Sequence, residues 1–142
     1  QLAEDVMLNG ETFPAGTRIL EIHIPAGEPL TLEDVLESIN QAPGFFKTYF
    51  GVEYSLFHCH SWLLSPDLCK LLPKNSRIIL FQNLFTIYKT DNCMRQAEER
   101  VFGFCSDNPI EYPENTSLQR TLKQYLLAGH TVPMGAGIRK VY

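Results

Sequence analysis

The chain has 142 residues, 44% of them hydrophobic, and a formal net charge of −4. This length is typical of one domain, residues 1–142, with enough chain to bury about 70% of its unfolded surface without a disulfide or a metal. The negative charge and the lack of a Lys/Arg run argue against nucleic-acid binding. No window approaches the roughly 18 consecutive apolar residues of a membrane span. We therefore expect a globular domain that binds neither nucleic acid nor membrane.

The N-terminal part of the chain predicts a hairpin and a strand. Asn9-Gly10 stands between two short apolar runs, a pattern typical of a two-residue type I′ turn. Residues 19–24 then alternate between apolar and polar side chains, which predicts a half-buried strand. Glu21 and His23 lie on the polar face of that strand.

The middle of the chain predicts a helix, a strand, a short helix at "SPDLCKLLP", residues 65–73, and a further strand. Residues 31–50 have a helical apolar face, with Pro43-Gly44 expected to break or kink the helix. Residues 54–61 predict a second strand. The sequence "RIILFQNLFTIYK", residues 77–89, is apolar on both faces and predicts a long central strand.

The C-terminal part predicts two more helices and two short strands. A helix is expected near residues 91–102, and a clearer one follows Thr116 as N-cap and stops before Gly129. "PMGAG", residues 133–137, predicts a glycine turn between terminal strands. The order of elements therefore predicts an α/β or α+β fold, with a mixed sheet, helices on both faces and an N-terminal β-hairpin.

Several stretches carry a family resemblance. They are "RILEIHIPAGEPLT", "CHSWLLSPDLCKLLPKNSRIILFQNLFTIY" and "NTSLQRTLKQYLLAG", followed by a glycine-rich end. In this order they resemble the GNAT-like C-terminal domain of a group of bacterial acyltransferases. The resemblance implies a GNAT-like fold, an acyl-CoA co-substrate rather than a covalently bound cofactor, a small-molecule acceptor, and an N-terminal domain in the same polypeptide. The absence of an initial methionine fits a domain cut from a longer protein.

The same resemblance leaves two functions open. The first is acyl transfer from an acyl-CoA-type thioester to a small amine or hydroxyl. GNAT enzymes hold the pyrophosphate on a glycine-containing turn that opens a helix, and "KTDNCMRQAEER", which we align with that turn, has no glycine. The alternative is therefore a non-catalytic ligand-binding or regulatory module that supports an N-terminal catalytic domain.

The segment "SLFHCHSWLL", residues 55–64, suggests either a metal site or a nucleophile. Side chains alternate along a strand, so His58 and His60 share one face and Cys59 points to the other. The tripeptide cannot offer all three ligands to one tetrahedral metal, and we expect no metal. Ser61 lacks the sharp glycine-flanked turn of a hydrolase nucleophile, and Cys59 has the apolar neighbours of a buried thiol.

Convergence between the two predicted strands offers a better candidate site. If the strands are neighbours, Glu21, His23, His58 and His60 can meet on one sheet face, as a carboxylate and histidines suited to general acid–base catalysis. A polar face covered by solvent or a helix is the alternative. In the third strand, Gln82 and Asn83 are amides in an apolar run, and they are candidates for ligand binding or for structural hydrogen bonds.

The four cysteines contain no C-x-x-C pair, and each has apolar neighbours. This pattern predicts buried, reduced thiols. We therefore expect a cytoplasmic protein.

Overall fold

The computed structural model describes residues 1–25 and 30–141. Its strands are β1 (Val6–Leu8), β2 (Glu11–Phe13), β3 (Ile19–Glu21), β4 (Leu56–Ser61), β5 (Thr86–Asp91) and β6 (Met134–Lys140). Its helices are α1 (Leu32–Phe50), α2 (Leu68–Leu71), α3 (Arg77–Gln82), α4 (Gln96–Phe102) and α5 (Ser117–Leu127), with 3-10 turns at Trp62–Leu64 and Pro109–Glu111. Within these described ranges, no helix has the length and apolar character needed to cross a membrane.

The main sheet has four strands in the order β3-β4-β6-β5. The β3–β4 pair is parallel and is connected through α1, whereas β6 is antiparallel to both β4 and β5. The mixed sheet and the α/β class are confirmed. β4 is thus the central strand that joins the parallel and the antiparallel parts of the sheet.

The two faces of β4 pack against different parts of the chain. Phe57 and Cys59 point into the larger core, together with buried side chains of α1, α3, α4 and α5. Leu56 points to the opposite face and packs with Ile138 against the apolar side chains of the N-terminal segment. The hairpin β1–β2 covers that second face at the end of the sheet where β4 begins.

Two local predictions are confirmed by backbone geometry. Asn9 and Gly10 both have positive φ, 51° and 82°, and they join directly paired residues of β1 and β2. This is the backbone that a type I′ turn requires. At α5, the Thr116 side chain accepts a hydrogen bond from the Gln119 N–H while the Gln119 side chain bonds back, which completes a capping box.

The long strand predicted over residues 77–89 is wrong. Residues 77–82 form α3, and the strand β5 begins only at Thr86. Ser76 decides the start of α3, because its side chain accepts a hydrogen bond from the Ile79 N–H. A short apolar run suits a buried helix as well as a buried strand, so its hydrophobicity alone could not separate the two.

Of the break or kink predicted at Pro43-Gly44, the break is wrong. α1 runs through Pro43 without interruption, although proline has no N–H to donate to the Ile39 carbonyl. Buried Ile39 and the partly buried Val35, Ala42 and Phe46 of α1 pack on the core on either side of this position. Tertiary packing therefore outweighs the lost hydrogen bond.

The predicted terminal turn at "PMGAG" is wrong, because residues 134–137 of this segment lie inside β6. Gly135 and Gly137 are strand residues whose missing side chains make room for another segment. A Cβ on Gly135 would overlap the backbone carbonyl of Leu64, and one on Gly137 would lie 2.9 Å from the Phe85 Cβ. These glycines serve close packing of the turn after β4 on the sheet.

We predict that Gly135→Ala destabilises the domain by about 1–3 kcal/mol or more, because the added methyl group must displace backbone. Chemical denaturation measures this change in the free energy of unfolding. Gly44→Ala is the matched control, since nothing lies within 4 Å of its Cβ position in α1 and alanine favours a helix by up to about 1 kcal/mol. Equal stability of the two variants would contradict the close approach.

Candidate active site

His58 forms the centre of a three-residue hydrogen-bond chain across β3, β4 and β5. Its Nδ1 lies 2.7 and 2.9 Å from the two carboxylate oxygens of Glu21, and its Nε2 lies 2.8 Å from the Tyr88 hydroxyl. A carboxylate only accepts, so Nδ1 carries the proton and donates it to Glu21. In the neutral ring, Nε2 then accepts the hydrogen bond from the Tyr88 O–H.

His60 forms a second carboxylate–histidine pair two residues further along β4. Its Nε2–H donates to Asp91 Oδ2 at 2.7 Å, which leaves Nδ1 as the basic nitrogen of a neutral ring. No described residue makes a hydrogen bond to that Nδ1. The His60 side chain is 39% exposed, against 13% for His58, so His60 is the histidine that a substrate can reach.

A β-bulge in β5 brings the partners of both histidines onto the same face. Ile87 pairs with Gly137 and Lys89 pairs with Ala136, so Tyr88 is an extra residue in β5. In a regular strand, Tyr88 and Asp91 would have opposite parity and point to opposite faces. The extra residue shifts the alternation by one, so that Tyr88 reaches His58 and Asp91 reaches His60.

These side chains line a polar groove of about 210 Å³ on the hairpin side of the sheet. Its outer wall is the N-terminal segment, which is joined to β5 by an ion pair between Glu4 and Lys89 at 2.9 Å. Burial raises the pKa of Tyr88, and the charge of Glu4 acts in the same direction. Tyr88 therefore stays protonated and donates its O–H to His58 Nε2.

Neighbouring groups lower the pKa of the Asp91 carboxyl and so favour its ionised form. Burial by itself would raise the pKa of the carboxyl, but the hydrogen bond from the Cys93 backbone N–H and the contact with His60 outweigh it and keep the pKa below its usual value. Asp91 therefore remains ionised at neutral pH and accepts the hydrogen bond from His60 Nε2–H.

A second cavity begins where the parallel strands stop pairing. The last hydrogen bond between them runs from the Ile22 N–H to the His58 carbonyl at 2.8 Å. Beyond it, residues 23–25 and 60–63 line a cavity of about 430 Å³, whose lining also includes Arg100 of α4. His60 is the only described residue that lines both this cavity and the polar groove.

The fold and this site can be compared with known proteins. The profile of the family described as "GNAT-like C-terminal domain" matches residues 3–139. The chain belongs to this family. No curated protein matches it.

Solved structures similar to this GNAT-like domain are acyltransferases. One, in complex with decanoyl-CoA and teicoplanin, has a TM-score of 0.79 and 26% identity, covering 92% of this chain and 45% of that chain. Another, in complex with CoA and 10C-teicoplanin, has a TM-score of 0.80 and 27% identity, covering 89% of this chain and 42% of that one. The GNAT-like domain thus spans less than half the length of these acyltransferases.

The structure brings together three of the four predicted acid–base residues. Glu21 and His58 are in direct contact, and His60 lines the same groove. His23 does not line it; this exposed residue follows the paired part of β3 and lines the second cavity instead. Cys59 points into the core, on the face opposite His58.

The two predicted amide ligands lie outside both cavities. Gln82 is buried, and its side chain donates to the Ser65 carbonyl and accepts from the Cys69 thiol. Asn83 is exposed and ends α3. Gln82 thus makes structural hydrogen bonds, which was the alternative to ligand binding. Both the oxygen and the nitrogen of its amide have a hydrogen-bond partner within the protein.

The sequence does not predict Tyr88, Asp91 or Arg100 as site residues. It predicts residue 88 within a long strand and residue 91 at the start of a helix, and the bulge that places both on one face leaves no signal in the sequence. The segment "KTDNCMRQAEER" leads from β5 into α4, which is the strand-to-helix position expected for it. The helix between the two parallel strands is α1, and residues 26–29, which precede it, lie outside the described residues.

The prediction of four buried thiols is wrong for three of them. Only Cys59 is buried, whereas Cys69, Cys93 and Cys105 are exposed and all four are free. Burial, together with the nearby charge of Glu21, raises the pKa of Cys59 to about 12. A buried thiol with so little thiolate is a poor nucleophile.

We predict that iodoacetamide alkylates Cys69, Cys93 and Cys105 in the folded protein and leaves Cys59 unmodified. Peptide mass spectrometry reports each site separately. The denatured protein is the control, since all four thiols should then react. Rapid labelling of Cys59 under native conditions would contradict its position in the core.

Proposed function

We propose that this domain transfers an acyl group from an acyl-CoA-type thioester to a small amine or hydroxyl. The observation that carries the proposal is the position of His60 between the polar groove and the cavity where β3 and β4 separate. A two-substrate reaction needs a base where donor and acceptor meet, within hydrogen-bond reach of the proton it removes. The acyltransferases similar to this chain were solved with decanoyl-CoA or CoA, which supports the same class of donor.

In the proposed reaction, the acceptor occupies the polar groove and the thioester occupies the cavity. The acceptor nitrogen or oxygen attacks the thioester carbonyl carbon while His60 Nδ1 takes its proton. The C–S bond then breaks, and the leaving thiolate takes up the proton held on His60 Nδ1, which returns His60 to its neutral form. Asp91 holds the His60 ring through Nε2 and stabilises the charge that the ring gains, as a carboxylate does for a catalytic histidine.

Glu21, His58 and Tyr88 have a different part in this proposal. Both ring nitrogens of His58 are engaged, and its side chain is only 13% exposed. We assign this chain of hydrogen bonds to shaping the floor of the groove, with the Tyr88 hydroxyl as the group that can meet the acceptor. His23 has no part in the proton transfer, since it does not line the groove.

Arg100 is the proposed contact for the phosphates of the donor. It is exposed, lines the cavity, and makes no ion pair with a described residue. A guanidinium matches phosphate geometry and forms charge-assisted hydrogen bonds. This contact would supply part of the anchoring that GNAT enzymes take from their glycine-containing turn.

Four wider features belong to the same proposal. Residues 1–142 form one domain of a longer protein, preceded by an N-terminal domain, and the family description and the length of the similar acyltransferases support this part. A bacterial source is proposed from the family resemblance alone. The protein acts in the cytoplasm, where acyl-CoA is available. The four free cysteines fit that reducing compartment.

We predict that His60→Gln lowers kcat for acyl transfer by about 100-fold or more, since loss of a general base costs factors of this size. The KM for acyl-CoA should change much less, because glutamine keeps the size of the side chain. The assay measures acylated product from decanoyl-CoA in the longer protein, across amine and hydroxyl acceptors that include teicoplanin.

His130→Gln is the matched control for that substitution. His130 stacks on Tyr125, with ring centroids 4.6 Å apart, and lines neither cavity. Wild-type turnover by the His60→Gln variant, with acyl-CoA still bound, would instead favour the non-catalytic module that supports an N-terminal domain.

We predict that Arg100→Gln weakens binding of decanoyl-CoA and of free CoA by about threefold to tenfold, as expected for one exposed charged contact. Titration calorimetry gives both dissociation constants. Arg77→Gln is the control, since Arg77 is exposed and lines neither cavity. Unchanged affinity in the Arg100 variant would remove this residue from the donor site without affecting the assignment of His60.

A further inference from the structure

β3 is an edge strand with an apolar groove along its open side. In the sheet order β3-β4-β6-β5, it pairs only with β4 among the described residues. All seven residues from Ile19 to Pro25 line a groove of about 460 Å³, whose other wall is α1. The lining from α1 includes Val35, Ile39 and Phe46.

The backbone alternation of β3, continued through Ile22 to His23, gives the direction of the N–H and C=O groups along this groove. The Ile22 N–H is directed toward β4, where it donates to the His58 carbonyl. Because N–H and C=O groups of successive strand residues point to opposite sides, those of Glu21 and His23 are directed away from β4. A row of such unpaired groups is a template for one more strand.

The exposed aromatic residues of α1 continue this surface. Phe46 lines the groove, and its ring lies 5.5 Å from that of Phe45 and 5.7 Å from that of Phe50. Phe45, Tyr49 and Phe50 are 51%, 71% and 64% exposed. Clustered exposed aromatic side chains mark surfaces that bind another protein segment.

We propose that the outer edge of β3 receives an extended strand from the domain that precedes this one in the longer protein. The inference rests on the part of the proposed function that assigns this chain to a longer polypeptide. An alkyl ligand could fill the groove, but it has no groups to pair with the backbone of Glu21 and His23. An added strand supplies both the hydrogen bonds and alternating apolar side chains.

The preceding domain is the occupant that the comparisons favour. The family is described as a C-terminal domain, and the similar acyltransferases are more than twice as long as this chain. A strand in the same polypeptide reaches the edge at a high effective concentration, without the entropic cost of joining two molecules. The sheet of this domain would then continue into its neighbour.

Amide hydrogen exchange, followed by NMR in the chain alone and in the longer protein, tests this directly. We expect the Glu21 and His23 amides to exchange on the order of 100-fold more slowly in the longer protein. The Ile22 amide is the internal control, since its bond to His58 should protect it in both. Equal exchange of the Glu21 and His23 amides in the two proteins would overturn the proposal.

Two other occupants give distinct results. Protection of these amides in the chain alone that rises with protein concentration would identify a second copy of the chain, and protection by added decanoyl-CoA would identify a ligand; either overturns the proposal. None of these readouts depends on acyl transfer. The proposed reaction can therefore be wrong while this inference holds, and this inference can be wrong while the proposed reaction holds.

A pair of variants tests the proposal within the longer protein, without a comparison to the chain alone. His23→Pro removes the outward N–H, whereas His23→Ala keeps it and removes only the side chain. In the longer protein we expect His23→Pro to have a Tm several degrees below that of His23→Ala, on the order of the loss of one or two hydrogen bonds. Equal Tm values for the two variants would contradict an added strand at this edge.

Discussion

The central constraint in this domain is that β4 places apolar side chains in the core on one face of the sheet and polar side chains on the other. Phe57 and Cys59 are part of the main core, so the alternation of the strand sends His58 and His60 to the opposite face. Strong burial of the first pair therefore fixes the direction of the second. Because this burial orients both histidines, the more exposed ring of His60 needs few contacts of its own and is available for chemistry.

The neighbours of β4 create the site by departing from regular pairing. On one side, β3 stops pairing after Ile22, and a cavity begins at the carboxyl ends of the two parallel strands, where ligands commonly bind in α/β sheets. On the other side, the bulge at Tyr88 turns two residues of β5 toward the histidines. A fully regular sheet would have neither the opening nor the second carboxylate–histidine pair.

Close packing on the core side supports this arrangement. Gly135 and Gly137 let the turn that follows β4, Trp62–Leu64, lie directly on β6. Trp62 and Leu63 of this turn form part of the wall of the cavity. The position of the cavity therefore depends on two residues that have no side chain. Among the described residues, the same sheet remains open at β3, so the domain has a face with the candidate site, a packed face and an edge strand with one partner.

Local sequence determined the elements whose signal lies within a few residues. The turn at Asn9-Gly10, the capping box of α5 and the alternation that separates Cys59 from His58 and His60 all follow from backbone geometry, and the structure confirms them. The contact of Glu21 with His58 was predictable only on the condition that their strands are neighbours. The structure meets this condition through the parallel β3–β4 pair.

Tertiary structure alone decided the remaining features. An apolar run such as residues 77–89 is compatible with both a helix and a strand. Packing against the core and the Ser76 cap determine that it forms α3 and then β5. The glycines of β6 predict a turn when only local sequence is considered, because the Leu64 carbonyl that excludes a side chain there lies 71 residues away in sequence from Gly135. Tyr88 and Asp91 joined the site through a bulge, which depends on the register between two strands. Such long-range contacts leave no periodic pattern in the chain, and this is the physical reason why the sequence predicted His58 and His60 but not their partners on β5.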